Sequence, residues 1–158
     1  MVIKMNVHNQ NQIFNQYISK LQTEFILIDH GLCPDWVRET HRRRRDTIYL
    51  ILSGQGEITI NGKTFHPVKG DMVLLPKGAR VSFHSDNKSC YNKYWCEFTM
   101  SIEGVPLFNM LDCPYVVKAA DMERAKNILD RLDELHLKTD IVSALLSKAL
   151  LLELVALF

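Results

Sequence analysis

The hydrophobic period of the chain changes near residue 117, which restricts it to architectures where a block of strands packs against a short helical tail. From Glu24 to Val117, short runs rich in Ile, Val, Leu, Phe, Tyr and Thr are divided by turn residues. They predict strands over Glu24–Asp29, Thr47–Ser53, Gly56–Ile60, Lys63–His66, Asp71–Leu75, Arg80–His84 and Tyr94–Met100. Asn61-Gly62 is a hairpin signal, because both residues tolerate the positive φ of a type I′ turn. Beyond Ala119, Met122, Ala125, Ile128, Leu129, Leu132 and Leu135 recur at helical steps behind a capping Asp121. His136 to Asp140 interrupts the pattern, with Thr139 or Asp140 as the next cap. A second helix follows and is apolar on nearly every side towards Phe158, so it needs cover from more protein. The barrel, a second subunit or further chain beyond Phe158 could each supply that cover.

Composition narrows the class. With 158 residues, 47% of them hydrophobic, the chain suits one soluble globular domain. The balance of 19 Lys and Arg against 18 Asp and Glu argues against a surface built for nucleic acid. The basic character is concentrated in Arg42 to Arg45. Cys33, Cys90, Cys96 and Cys113 have no C-x-x-C spacing and are expected as reduced, mostly buried thiols. Met1 to Gln22 holds no apolar run suited to a secretory signal, and the apolar-rich Ala149–Phe158 is far short of the roughly 20 residues of a membrane span. Cytoplasmic residence is therefore expected, with no membrane partner.

Gly70-Asp71-Met72-Val73-Leu74-Leu75-Pro76-Lys77-Gly78 follows the pattern G-D-x4-P-x-G, a strand entered from one turn and left by another. Taken with Tyr49-Leu50-Ile51-Leu52-Ser53-Gly54-Gln55-Gly56, Asn61-Gly62-Lys63 and Tyr94-Trp95-Cys96-Glu97-Phe98, it resembles the cupin sensor domain of AraC-family bacterial transcription regulators. The resemblance covers about Glu24 to Phe158. It implies a mainly β fold, a cupin-like (jelly-roll) β-barrel followed by a C-terminal pair of α-helices. The expected organisation is an N-terminal arm over 1–22, an effector-binding barrel over 23–117 and a helical dimerisation segment over 118–158. The DNA-binding helix-turn-helix domain of such regulators would lie outside this chain.

Metal-binding cupins carry two His, a Glu and a further His at set spacings. Anchored on Gly54, those slots hold Thr40 and Arg42, or His41 and Arg43, then Thr47 and Val81. Arg and Val are not metal donors, so neither a metal nor another cofactor is expected. If the strands alternate as in cupins, Thr47, Tyr49 and Ile51, Val81 and Phe83, and Lys93, Trp95 and Glu97 face the interior. In sugar-binding members an aromatic residue at the place of Trp95 stacks on the ligand, and Trp95 reads equally as core filling. Phe83 stands where such members carry a Tyr, and Arg38 lies near the place of a ligand-binding Arg.

Arg42 to Arg45 reads first as a solvated edge, where cations repel edge pairing. A second reading turns one or two of them inward, Arg42 above all, onto an anionic ligand. Direct nucleic-acid contact ranks last. The candidate ligand set is thus Arg38, Arg42, Tyr49, Phe83, Lys93, Trp95 and Glu97, and Leu145 and Leu152 are the candidate dimer contacts. The leading expectation is a sensor of a small sugar or other polar or anionic metabolite that forms a homodimer and reaches DNA only through the missing domain. The rival is a small metal-independent cupin isomerase or epimerase with Glu97 and Lys93 as its acid/base pair.

Overall fold

The computed structural model describes residues 14–34, 36–85 and 89–158. Among the described residues there are ten strands: β1 (Leu21–Leu32), β2 (Arg38–Arg42), β3 (Asp46–Ser53), β4 (Gly56–Ile60), β5 (Lys63–Phe65), β6 (Asp71–Leu75), β7 (Arg80–Ser85), β8 (Asn92–Ile102), β9 (Val105–Pro106) and β10 (Val116–Lys118). One sheet runs β1-β8-β3-β6-β10 with β9 on the flank of β8, and the other runs β2-β7-β4-β5. All pairs are antiparallel. The expected jelly roll is therefore a sandwich of two sheets. Side chains, rather than a continuous hydrogen-bonded ladder among the described residues, join its halves.

Strand alternation divides the burial into two cores. On β3 and β6, Tyr49, Ile51, Val73 and Leu75 point inward to meet Ile58, Ile60, Val81 and Phe83 of the second sheet. The opposite faces of the same strands carry Ile48, Leu50, Met72 and Leu74, which pack under the helices. The hairpin forms as its residues require, with φ of 48° at Asn61 and 81° at Gly62. Gly54 has φ 94°, and a Cβ there would stand 2.2 Å from the Cys90 carbonyl oxygen, so only glycine fits that crossing.

Beyond β9 the described residues hold three helices, α1 (Leu107–Met110), α2 (Met122–Leu135) and α3 (Ile141–Leu157). Asp121 accepts from the Arg124 backbone N–H at 2.9 Å and caps α2. Of the two candidate caps for α3, Asp140 serves, accepting from the Ser143 N–H at 2.9 Å. Ala125, Ile128, Leu129 and Leu132 of α2 join Leu150, Leu151 and Leu154 of α3 in the outer core. Each such leucine contributes roughly 2 kcal/mol by burial. Arg124 clasps Glu153 at 2.8 Å across the pair. The other face of α3 stays uncovered, with Ile141, Val142, Leu145 and Leu146 exposed and Leu152 more than a third exposed.

Several expectations shift. The strand β2, which has no apolar run, is an exposed edge, and β9, β10 and α1 are short segments with no periodic signal. The first strand begins at Leu21, inside the span expected for the arm, and residues 14–19 are helical. The rest of the expected arm, 1–13, lies outside the described residues. All four cysteines are free, yet Cys96 alone is buried while Cys33, Cys90 and Cys113 are half-buried.

Candidate functional site

The inner face of the sandwich assembles its polar and aromatic groups by register. Across β3 and β8, Thr47 pairs with Glu97, Tyr49 with Trp95 and Ile51 with Lys93. Facing them, β7 presents Phe83, with Arg38 of β2 as its neighbour. Tyr49, Phe83 and Lys93 are buried and Trp95 is half-buried, so these four expected residues do converge.

Trp36, from the loop before β2, joins them. Its ring stacks on Phe83 at 4.2 Å and meets Tyr49 and Tyr91 edge-on at 5.7 and 5.6 Å. The Lys93 ammonium lies 4.2 Å from the Trp36 ring centre, 4.5 Å from Tyr49 and 4.7 Å from Trp95. Three aromatic faces thereby offset part of the cost of burying a cation. Lys93 Nζ also donates to Cys33 Sγ at 3.3 Å, and among the described residues no carboxylate pairs with it. Burial lowers the Lys93 pKa from the ordinary lysine value, and the adjacent Cys33 opposes that shift. Burial also pushes the Tyr49 phenol well above its usual range.

Toward the rim, the charges separate from this aromatic cage. Arg43 Nη2 donates to Glu97 Oε1 at 2.9 Å and to the Thr47 hydroxyl, while Arg45 Nη1 reaches Glu97 Oε2 at 3.4 Å. The acid/base pair expected of Glu97 and Lys93 is thus replaced by two separate pairings, Glu97 with Arg43 and Arg45, and Lys93 with Cys33. Arg38 and Arg42 remain exposed, and Arg43 is the arginine that turns inward, with its side chain 11% exposed. The reason is local. The strand β2 ends at Arg42, and the turn holds Arg43 by both backbone groups, its N–H to Ala79 O and its carbonyl from Gly78 N, each at 2.9 Å. Arg38, His41, Arg42, Arg43, Arg44, Arg45 and Glu97 line an open cleft of about 750 Å³.

At the positions that hold metal ligands in other cupins, Thr47 accepts from Arg43 and Val81 packs in the inner core. That donor set does not fit a transition metal. Among the described residues no group of three or more His, Cys, Asp or Glu side chains converges.

A two-sheet jelly roll with a polar, aromatic-lined interior and a helix pair on its outer face defines a cupin-type binding domain. The chain belongs to the family described as the AraC-like ligand binding domain, whose model matches residues 30–155. It is 24% identical over 91 residues to the "Lactose operon transcription activator" of Staphylococcus xylosus, a match that covers 54% of this chain and 31% of that protein. The chain therefore spans about a third of that relative's length. Among solved structures it resembles the cupin domain of Schizosaccharomyces pombe Cnp3, at 18% identity and TM-score 0.39 over 49% of this chain and 64% of that one. It also resembles a cupin protein of Bacteroides fragilis, at 23% identity and TM-score 0.36 over 60% and 77% of the respective chains.

Proposed function

We propose that the chain is the ligand-sensing and dimerisation domain of an AraC-type transcription regulator. In this reading a sugar or related polar metabolite seats against Trp95 between the sheets, and a DNA-binding domain outside this chain responds in the cytoplasm. The observation that carries it is the cage of Trp36, Tyr49 and Trp95 around the buried Lys93, which simple core packing does not require. The sugar class draws on the printed name of the staphylococcal relative. Tyr49, Phe83, Lys93 and Trp95 form the inner part of the proposed site, and Arg38, Arg42 and Glu97 the rim.

Transmission has a physical route. On β8, Tyr94 lies between Lys93 and Trp95 but points to the other face, where its hydroxyl donates to Asp130 of α2. A ligand that moves Lys93 or Trp95 displaces the same strand that anchors the helix pair, and it acts by binding one arrangement more tightly than another.

No catalytic role is proposed, since Lys93 and Glu97 are each engaged elsewhere. The test is thermal unfolding of the chain with a panel of mono- and disaccharides and their phosphate esters, with each compound assayed afterwards. At least one should raise Tm by about 3 °C or more at saturation, remain unconverted, and lose its effect in Trp95→Ala. Conversion of the ligand would contradict the sensor, and a panel with no effect would contradict the sugar class.

A further inference from the structure

We propose that the arginine cleft is a phosphate-binding subsite, so that the effector is a small phosphate ester rather than a neutral sugar. This rests on the sensor reading and names the ligand class for that site. Five arginines and one carboxylate, Glu97, line the cleft, a formal charge of 5 − 1 = +4 with His41 neutral. A neutral ligand leaves that excess unanswered, whereas a phosphate ester brings about −2 and three acceptor oxygens suited to guanidinium forks.

One orphaned polar atom points the same way. Arg43 Nε, which can only donate, is buried and has no hydrogen-bond partner among the described residues. The Arg43 side chain lines the cleft and is held in place by Glu97 and Thr47. A buried donor of this kind is normally paired, and a phosphate oxygen would supply the missing acceptor.

The spacing also fits. The Thr47–Glu97 pair lies two residues along the strands from the Tyr49–Trp95 pair, about 7 Å. That is the scale of a hexose ring joined to a phosphate, the ring toward Trp95 and the phosphate among Arg42, Arg43 and Arg45.

Calorimetric titration of the full chain with glucose 6-phosphate, pyrophosphate, citrate and glucose tests this. Glucose 6-phosphate and pyrophosphate should bind saturably, and both should weaken as NaCl rises from about 50 to about 300 mM. Arg43→Gln should weaken both by about tenfold or more, and Lys63→Gln, which removes a cation outside the cleft, should leave them unchanged. Should Arg43→Gln unfold, Arg42→Gln at an exposed position still reports, with a loss of about threefold. Glucose binding as tightly as its phosphate, absent pyrophosphate binding, or citrate binding more tightly than either phosphate would overturn the proposal. In the first case the sensor reading survives, because a neutral sugar then occupies the interior without the cleft.

Discussion

Lys93 is the residue on which the interior turns. The residue is 3% exposed, and its ammonium is held by three ring faces and one sulfur where a structural core would place a methyl group. Burial lowers its pKa below that of the unfolded chain, so between the two values the unfolded state binds more protons. Below the folded pKa the full penalty of a buried charge is present, and it is relieved as pH rises through that value toward 10.5. Lys93→Met should therefore be at least as stable as the parent at pH 7, and the parent should gain on it in urea unfolding as pH rises toward 10.5. A stability difference that stays flat with pH would mean Lys93 binds its proton as an ordinary lysine does.

At the scale of elements, α3 carries the clearest unanswered surface. Ile141, Leu145, Ala149, Leu152 and Ala156 fall at steps of four, four, three and four on the side turned away from the buried Ser143, Ser147, Leu150 and Leu154. From Leu145 onward the steps of four, three and four are those of a coiled-coil seam, and we propose a second copy of the chain as its cover. Leu145→Asp or Leu152→Asp should raise the dimer dissociation constant at least about tenfold in light scattering with the fold intact. A dimer that persists in both would place the interface elsewhere. This helix also marks what was legible in the sequence. While its cap was narrowed only to Thr139 or Asp140, its apolar character on nearly every side towards Phe158 was plain, as were the Asp121 cap, the Asn61-Gly62 hairpin and the inward register of Tyr49, Phe83, Lys93 and Trp95. The strand β2 was not, because Arg38-Glu39-Thr40-His41-Arg42 has no apolar alternation and owes its strand form to pairing with β7. Trp36 and Cys33 escaped for a related reason: loop residues acquire neighbours only through tertiary folding, and no periodicity announces them. Arg43 rather than Arg42 turned inward because a turn, which shifts phase, follows the end of β2.

The whole molecule is a sandwich with two faces of different use. One sheet, β1-β8-β3-β6-β10, contributes to both cores, its inner side chains to the aromatic cage and its outer ones to the bed of the helix pair. Strand β8 joins the two most directly, with Lys93 and Trp95 inside and Tyr94 on Asp130 outside. A sensor needs such a shared element, since a ligand site packed independently of the helices has nothing to move. The central claim is that a small molecule seats between Trp36 and Trp95. These are the only two tryptophans in the chain, so each single-tryptophan variant isolates one wall of the site. Fluorescence titration of Trp36→Phe and Trp95→Phe with glucose 6-phosphate is the most direct measurement. The account predicts a saturable change in the remaining tryptophan of each variant, with the two dissociation constants agreeing within about threefold. Saturable binding by calorimetry that leaves both tryptophans unchanged would contradict it.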